Sequence, residues 1–349
     1  MRPYLPPTGG RHDKLRLDFN ENTVGCSPRV AAFLRGTVSR DLLATYPDYD
    51  EVKRELALFF GVRPDQMLLT NGTDEAIQVL VNTFVDPGDD VIVMTPSYAM
   101  YRFYAEVASA KILEVPYGRE EGGSGNEVRG NLEFSVDRLV EAVSPRTKAI
   151  LLSSPNNPTG STIGHGDLDI ILRKARGACV LVDEAYFDFY GQTMLPHLNR
   201  YDNLFVSRTF SKAYGMAAMR MGCQFSSEAN TAAMRKAQSP YSVNMLAALA
   251  AREAIKDEEY VADYVKSALI GRRVIEQAMD RLGIRYWPSE ANFVLFDAGD
   301  RADECLARCR EAGVLIRDRR HEIPGALRVT AGPPEQMRRF VAAIEGLFA

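Results

Sequence analysis

One short segment of the chain concentrates side chains that could do chemistry together. Thr209 and Ser211 supply hydroxyl groups, Lys212 supplies an amine, and Arg220 follows a little further on. Hydroxyls and a guanidinium can bind a phosphate, and a lysine amine can react with a carbonyl, so the segment suits a ligand that carries both groups. Taken alone, however, such a segment is more often a solvated basic loop.

Four other segments have the same character, because each of them directly follows a short apolar run: Asn71–Glu75, Thr95–Tyr98, Ser153–Gly160 and Asp183–Tyr186. In the first of them Gly72, Thr73 and Asp74 open a helical pattern. A glycine allows a tight turn there, and the free N–H groups at the start of a helix can bind an anion. An ordinary helix cap would explain the same residues.

The other three segments supply an aromatic ring, an amide and a carboxylate. Tyr98 could stack on a planar ring, although most such tyrosines are simply half-buried. Asn157 lies in a turn between prolines, and turn chemistry alone would account for it. Asp183 ends an apolar strand, where a carboxylate is unfavourable without a partner.

The apolar runs themselves predict how these segments are brought together. They are rich in Val, Ile and Leu, they do not alternate with polar residues, and helical patterns separate most of them: Met67–Leu69, Val91–Met94, Ala149–Leu152, Val180–Val182 and Leu204–Val206. This pattern predicts an α/β protein with a largely parallel sheet that is buried on both faces. Ligands bind such sheets at the carboxyl ends of the strands, so the five segments should meet there. One ligand would use all of them: a pyridine ring with a phenolic oxygen, an aldehyde and a phosphate.

The pattern changes near Tyr260, where a long helix and then short strands and helices predict a smaller α+β domain. We expect three regions: residues 1–44 as an N-terminal arm and part of the small domain, 45–258 as the large cofactor-binding domain, and 259–349 as the small C-terminal domain. The polar, glycine-rich stretch Gly118–Gly130 is predicted to be a loop.

Composition argues against several classes of function. The 349 residues carry a net charge of −4, which argues against nucleic acid or an anionic membrane as the main partner. There is no secretory signal and no apolar run long enough to span a membrane, so we expect a cytoplasmic protein. The five cysteines show no CxxC spacing, which indicates reduced, packed thiols and no metal site.

The sequence strongly resembles the fold-type-I pyridoxal-phosphate aminotransferases (class I/II), and within them the histidinol-phosphate aminotransferase branch. The resemblance covers nearly the whole chain. Its markers occur in the family's order: LDFNEN (Leu17–Asn22), YPD (Tyr46–Asp48), NGTDEAI (Asn71–Ile77), PSYAMY (Pro96–Tyr101), SPNNPTG (Ser154–Gly160), VDEAY (Val182–Tyr186), TFSKAYG (Thr209–Gly215), PYSVN (Pro240–Asn244), PSEANF (Pro288–Phe293), IRD (Ile316–Asp318) and LRVTAG (Leu327–Gly332).

The resemblance implies roles for the residues around the cofactor ring. Lys212 would hold pyridoxal 5'-phosphate as a Schiff base, and Asp183 would pair with the pyridine N–H to keep the ring an electron sink. Asn157 and Tyr186 would hydrogen-bond the phenolic oxygen, and Tyr98 would stack on the ring. Lys212, Asp183 and Tyr186 would be the catalytic residues.

The resemblance also implies how the phosphate and the substrate are bound. Six residues would bind the cofactor phosphate: Gly72, Thr73, Asp74, Thr209, Ser211 and Arg220. Tyr46 would reach the same phosphate from a neighbouring subunit, so the active unit should be a homodimer with shared sites. Arg328 and Asn157 would contact the substrate's anionic group, while Arg317 and Tyr4 would help to bind a substrate phosphate. The stretch between Arg317 and Arg328 is shorter than is usual in the family, which could reshape that pocket.

The implied reaction is a ping-pong transfer of an amino group from a small-molecule donor to a 2-oxo acid, with histidinol phosphate and 2-oxoglutarate as the expected pair. Two relatives on the same fold stay open: an aromatic amino-acid aminotransferase and a threonine-phosphate decarboxylase-like lyase. A regulator with this fold would need a DNA-binding segment, which we do not expect. A dinucleotide dehydrogenase is not supported, because no G-x-G-x-x-G follows a predicted strand.

Overall fold

The computed structural model describes residues 9–119 and 132–348 of the chain. The strands are β1 (Leu15–Leu17), β2 (Met67–Asn71), β3 (Asp90–Thr95), β4 (Lys111–Pro116), β5 (Gly118–Arg119), β6 (Leu132–Glu133), β7 (Thr147–Ser153), β8 (Cys179–Asp183), β9 (Leu204–Thr209), β10 (Met221–Phe225), β11 (Tyr286–Trp287), β12 (Phe293–Asp297), β13 (Val314–Asp318) and β14 (Ala326–Thr330). The helices are α1 (Pro28–Thr37), α2 (Arg40–Ala44), α3 (Asp50–Phe60), α4 (Gly72–Phe84), α5 (Ala99–Val107), α6 (Val136–Ala142), α7 (His165–Lys174), α8 (Phe187–Tyr190), α9 (Glu228–Ala237), α10 (Met245–Ala254), α11 (Glu258–Leu282), α12 (Ala302–Glu311) and α13 (Pro334–Phe348).

The large sheet has seven strands in the order β2-β10-β9-β8-β7-β3-β4. All neighbouring strands run parallel except β10, which is antiparallel to both β2 and β9. Alternate residues of the apolar strands enter separate cores on the two faces: Ile150 and Leu152 on one face, Ala149 and Leu151 on the other. Burial on both faces explains why the apolar runs do not alternate with polar residues, and the predicted α/β class with a mostly parallel sheet is confirmed.

The sequence did not reveal two strands of this sheet. β10 reads Met-Gly-Cys-Gln-Phe, and it lacks the β-branched residues that mark the other strands although every residue in it is buried. β4 is an edge strand with a mixed polar pattern. The Gly118–Gly130 prediction was wrong at its start, because Gly118 and Arg119 form β5 and pair with β6; the remainder of that stretch lies outside the described residues.

The small sheet has the order β1-β13-β14-β12-β11. Its first strand comes from the N-terminal part of the chain and runs parallel to β13, while the other pairs are antiparallel. Helices α11, α12 and α13 pack on this sheet, which matches the predicted α+β arrangement. Val30 of α1 packs into the core of the large sheet instead, and the domain boundaries at residues 44 and 258 stay predictions.

Residues 28–44 form two successive helices and not one. α1 ends at Thr37, Val38 and Ser39 are extended, and the Ser39 hydroxyl accepts a hydrogen bond from the Leu42 N–H to start α2. A serine side chain that binds the free N–H groups of a new helix makes this interruption favourable.

Among the described residues no helix is long and apolar enough to cross a membrane, and no cluster of His, Cys, Asp and Glu could hold a metal ion. The cysteines form no disulfide, and four of them are buried: Cys179, Cys223, Cys305 and Cys309.

Candidate active site

A cavity of about 230 Å³ lies at the carboxyl ends of the large sheet's strands, against the small sheet. It brings together most of the residues that the sequence pointed to: Thr73, Asp74, Tyr98, Asn157, Asp183, Tyr186, Thr209, Ser211, Lys212, Arg220, Arg317 and Arg328. All five segments that follow the apolar runs therefore contribute to one site. Tyr4 lies outside the described residues.

Lys212 follows β9 and extends its amine into this cavity. The amine donates a hydrogen bond of 3.0 Å to the backbone carbonyl of Phe19 and lies 5.8 Å from the centre of the Tyr186 ring. Burial, and after it the positive charge of Arg328, lowers the pKa of Lys212 to about 8. About a tenth of such an amine is uncharged at pH 7, roughly 300-fold more than at the ordinary pKa of 10.5. Only the uncharged amine can attack a carbonyl or accept a proton.

Asp183 ends β8 at the floor of the cavity and is only 3% exposed. Its two carboxylate oxygens accept hydrogen bonds from the Tyr101 hydroxyl at 2.9 Å and the Ser207 hydroxyl at 2.8 Å. Burial raises the pKa of Asp183 to about 6 despite these bonds. Within the described part of the chain this carboxylate makes no ion pair, so a protonated pyridine nitrogen would supply the cation that a buried carboxylate lacks.

The other end of the cavity has the character of a phosphate site. Gly72 adopts a left-handed conformation, with φ of +73°, and begins α4, so the N–H groups of Thr73 and Asp74 lie in the first turn of a thirteen-residue helix. A Cβ atom on Gly72 would lie 2.7 Å from an Arg220 guanidinium nitrogen. Arg220 forms an ion pair with Asp74 at 3.1 Å. Backbone donors and a guanidinium thus meet at a concave surface that only glycine leaves open.

Tyr98 lines the cavity beside this end, and its hydroxyl donates to Asp74 at 2.8 Å. Burial raises the pKa of Tyr98 well above its ordinary value, so the phenol stays protonated. Thr209 and Ser211 are buried, and the Ser211 N–H donates to the Thr209 hydroxyl at 3.1 Å. Their positions fit the predicted stacking and phosphate-binding roles, which stay predictions.

The small sheet brings arginines to the substrate side of the cavity. Arg317 on β13 and Arg328 on β14 lie opposite each other in register. One Arg328 nitrogen donates to the backbone carbonyl of Asp18 at 2.9 Å, and another donates to the side-chain oxygen of Asn157. Burial, followed by the charges of Arg319 and Arg317, lowers the pKa of Arg328 to about 9. Concentrated positive charge of this kind favours an anionic ligand.

Four residues of the site were given no role on the sequence evidence. Tyr101 and Ser207 bind Asp183, and Asn20 donates to the Tyr186 hydroxyl at 2.9 Å. Arg319 donates to Asn157 at 3.1 Å. Asn20 and Tyr101 lie inside the quoted motifs LDFNEN and PSYAMY, which could have indicated them, whereas no motif marked Arg319.

Tyr46 does not belong to the cavity of its own chain. It is 76% exposed and packs against Tyr241, with the ring centres 4.7 Å apart. The predicted contact of Tyr46 with the cofactor phosphate can therefore be made only in the site of a second copy.

The comparisons with known proteins agree with this geometry. The family model described as aminotransferase class I and II matches residues 12–344. A histidinol-phosphate aminotransferase of Symbiobacterium thermophilum is 36% identical, with 99% of this chain and 96% of that protein covered. A second histidinol-phosphate aminotransferase, from a Geobacillus species, is 32% identical over 96% of this chain and 90% of its own.

Solved structures share the fold. A histidinol-phosphate aminotransferase from Sinorhizobium meliloti in complex with pyridoxal 5'-phosphate superposes with a TM-score of 0.85 at 23% identity, with 99% of this chain and 96% of that chain covered. An aspartate aminotransferase from Thermus thermophilus has a TM-score of 0.81 at 24% identity, over 96% of this chain and 92% of its own. With the family match over nearly the whole length, the chain belongs to the class I and II aminotransferases and is a pyridoxal-phosphate-dependent aminotransferase of fold type I.

Proposed function

We propose that the chain transfers an amino group from histidinol phosphate to 2-oxoglutarate by a ping-pong mechanism. The observation that carries the proposal is the pair Arg317 and Arg328, which face each other across β13 and β14 beside the Lys212 amine. Two guanidinium groups that line the same cavity as the reacting amine suit a phosphate in one half-reaction and a carboxylate in the other. The names of the relatives support the choice of donor.

The residues of the cavity fit pyridoxal 5'-phosphate along its whole length. Asp183 would pair with the ring nitrogen, Asn157 and Tyr186 would hydrogen-bond the phenolic oxygen, and Tyr98 would stack on the ring. The phosphate group would bind at the start of α4 with Thr209, Ser211 and Arg220. The bound cofactor supplies an electron sink that stabilises negative charge at the substrate's Cα atom.

Lys212 has two tasks in this proposal: it anchors the cofactor and it moves the proton. With the cofactor bound and the amine freed by an amino donor, the Nζ atom would take up the Cα proton of the donor and hold it for return in the same cavity. Its pKa of about 8 lies close to neutral pH, where proton transfer in both directions is efficient. The Phe19 carbonyl orients the amine, and burial, together with the nearby charge of Arg328, keeps its pKa low.

The proposed active unit is a homodimer in which Tyr46 of one copy completes the phosphate site of the other. Tyr241, which packs against Tyr46, and Leu43, three residues before Tyr46, are also large and exposed, which supports burial of this face. Mixing Lys212→Ala subunits with Tyr46→Ala subunits tests the sharing. Mixed dimers would carry one intact site, so roughly a quarter of all sites should regain activity after random mixing. No recovery beyond the sum of the two variants would contradict shared sites.

The experiment that tests the substrate is an amino-donor screen with 2-oxoglutarate as acceptor. Histidinol phosphate should give the highest kcat/KM. A higher value for phenylalanine would assign the chain to the aromatic aminotransferases, and release of carbon dioxide from threonine phosphate without 2-oxoglutarate would assign it to the lyases. Either result would overturn the proposed substrate while leaving the cofactor site intact.

A further inference from the structure

The turn that joins β13 to β14 places a third arginine in the active site. The connection is short, spanning residues 319–325, and its first residue is Arg319. Arg319 is only 7% exposed, lines the cavity, and donates a hydrogen bond of 3.1 Å to the side-chain oxygen of Asn157. This short connection is therefore the element that positions the Arg319 side chain.

Several contacts within the turn fix Arg319. Its backbone N–H donates to the Ala326 carbonyl at 3.0 Å, and its own carbonyl accepts from the Glu322 N–H at 3.0 Å. The Glu322 carboxylate lies 3.1 Å from the Arg319 Nε atom. An arginine that is anchored at the backbone and at the base of its guanidinium loses little further entropy when it binds Asn157, so its position is well defined.

Asn157 accepts hydrogen bonds from two arginines through the same atom. Arg319 and Arg328 both donate to its Oδ1. Because a guanidinium has donors and no acceptor, an amide between two arginines must turn its oxygen toward them. The NH₂ group of Asn157 is then directed away from the two guanidinium groups, and Asn157 lines the cavity.

We propose that Arg319 is a positioning residue that locks the Asn157 amide so that its N–H groups donate to the phenolic oxygen of the cofactor. The Glu322–Arg319–Asn157 chain thus couples the β13–β14 turn to the cofactor ring. The inference rests on the proposed placement of the cofactor at Lys212. It predicts an effect on the cofactor's protonation, which is separate from the binding of substrate by Arg317 and Arg328.

The readout is the pH titration of the absorbance band of the Lys212-bound cofactor, measured without substrate. A hydrogen bond to the phenolic oxygen stabilises its ionised form, so loss of that bond should raise the pKa of the band. Asn157→Ala should raise it by about one pKa unit, and Arg319→Met, which leaves Arg328 bound to the same oxygen, should raise it by a smaller but measurable amount. The double variant should titrate like Asn157→Ala alone, because Arg319 acts through the amide.

Additive shifts in the double variant would overturn the inference, since they would mean that Arg319 acts through its charge and not through Asn157. Arg320→Met is the matched control. It removes a positive charge from the same turn, where Arg320 pairs with Asp303 at 2.8 Å and Asp318 at 2.7 Å, and it should leave the pKa of the band unchanged. If Arg320→Met raised the pKa of the band as much as Arg319→Met does, the inference would also be overturned.

If Arg319→Met does not fold, Glu322→Gln replaces it in the same double-variant comparison. This substitution keeps the arginine and weakens its anchor, so a smaller rise is expected, and that rise should again vanish in the Asn157→Ala background. A rise that persists there would contradict the inference. The proposed function fails in a different way. If the wild-type protein shows no cofactor absorbance band, or if its band persists in Lys212→Ala, the placement of the cofactor itself is wrong.

Discussion

Replacement of Asp183 by asparagine should stabilise the cofactor-free protein while it damages the enzyme. Asp183 is a buried carboxylate without an ion pair among the described residues, and its charge is compensated by the Tyr101 and Ser207 hydroxyls and the Ala185 backbone N–H. A site that is built to bind a protonated pyridine is unfavourable when the pyridine is absent. Asparagine keeps the shape of the side chain and removes the buried charge.

The magnitude follows from the pKa of Asp183. Folding raises it from 3.8 to about 6, which corresponds to about 3 kcal/mol of lost stability once the pH exceeds 6. The sign is fixed, because a group whose folded pKa lies above its unfolded pKa favours the folded state only while it is protonated. In Asp183→Asn the contacts with the two hydroxyls are altered, which should offset about 1 kcal/mol of the stability that removal of the buried charge restores. Asp183→Asn should therefore be about 2 kcal/mol more stable than the native chain at pH 7.5 and no more stable at pH 4.

The assay is urea unfolding of the cofactor-free proteins at equal concentration and at several pH values between 4 and 8. The matched control is Asp90→Asn, the same substitution at a buried aspartate that has cationic neighbours, Arg146 at 3.6 Å and Lys111 at 4.0 Å. The control should lose stability, because it removes an ion pair. With the cofactor added, Asp183→Asn should lose kcat by on the order of 10²-fold.

A native protein as stable as Asp183→Asn at pH 7.5, or a difference that does not change between pH 4 and pH 7.5, would refute this reasoning. Either result would show that the carboxylate is not destabilised by its surroundings. An Asp183→Asn enzyme with normal turnover would refute the pairing of Asp183 with the cofactor ring.

Three further predictions concern the two ends of the cavity. Gly72→Ala should weaken cofactor binding about tenfold or more, because its Cβ would lie 2.7 Å from Arg220. The control is Gly88→Ala, which has the same sign of φ and open space around it, so it should lower stability alone. Equal cofactor dissociation constants for the two variants would contradict this prediction. The cofactor-free Lys212 amine should react with a carbonyl reagent with a midpoint near pH 8, as followed by mass spectrometry, and a midpoint near pH 10.5 would contradict the lowered pKa. Arg328→Met should raise the KM of both substrates by about 30-fold or more while the cofactor absorbance remains. It should also raise the pH midpoint of the Lys212 reaction with the carbonyl reagent. Unchanged KM values would show that Arg328 does not bind substrate.

Much of the site could be predicted from the sequence because its parts lie at the ends of recognisable strands. Val180–Val182 reads as a buried strand, and the next residue, Asp183, must then lie at its carboxyl end. The same reasoning placed Lys212 and Asn157 at one edge of the sheet. Local patterns suffice where the fold itself brings the ends of neighbouring strands together.

Contacts between distant segments could not be predicted in this way. Asn20 meets Tyr186 and Arg319 meets Asn157 only because the small sheet closes over the large one. Strand β10 was missed because its buried positions include Gly222 and Gln224, which no strand pattern favours. The roles carried over from the family for Tyr4 and Tyr46 depend on residues outside the described chain and on a second subunit.

The most direct test of the central assignment is to identify the lysine that carries the cofactor. The protein is loaded with pyridoxal 5'-phosphate, reduced with borohydride to make the link permanent, digested, and analysed by mass spectrometry. The mass of the reduced cofactor should lie on Lys212 alone, and Lys212→Ala should carry none under the same conditions. A label on another lysine at the same occupancy, or equal labelling of Lys212→Ala, would contradict the assignment.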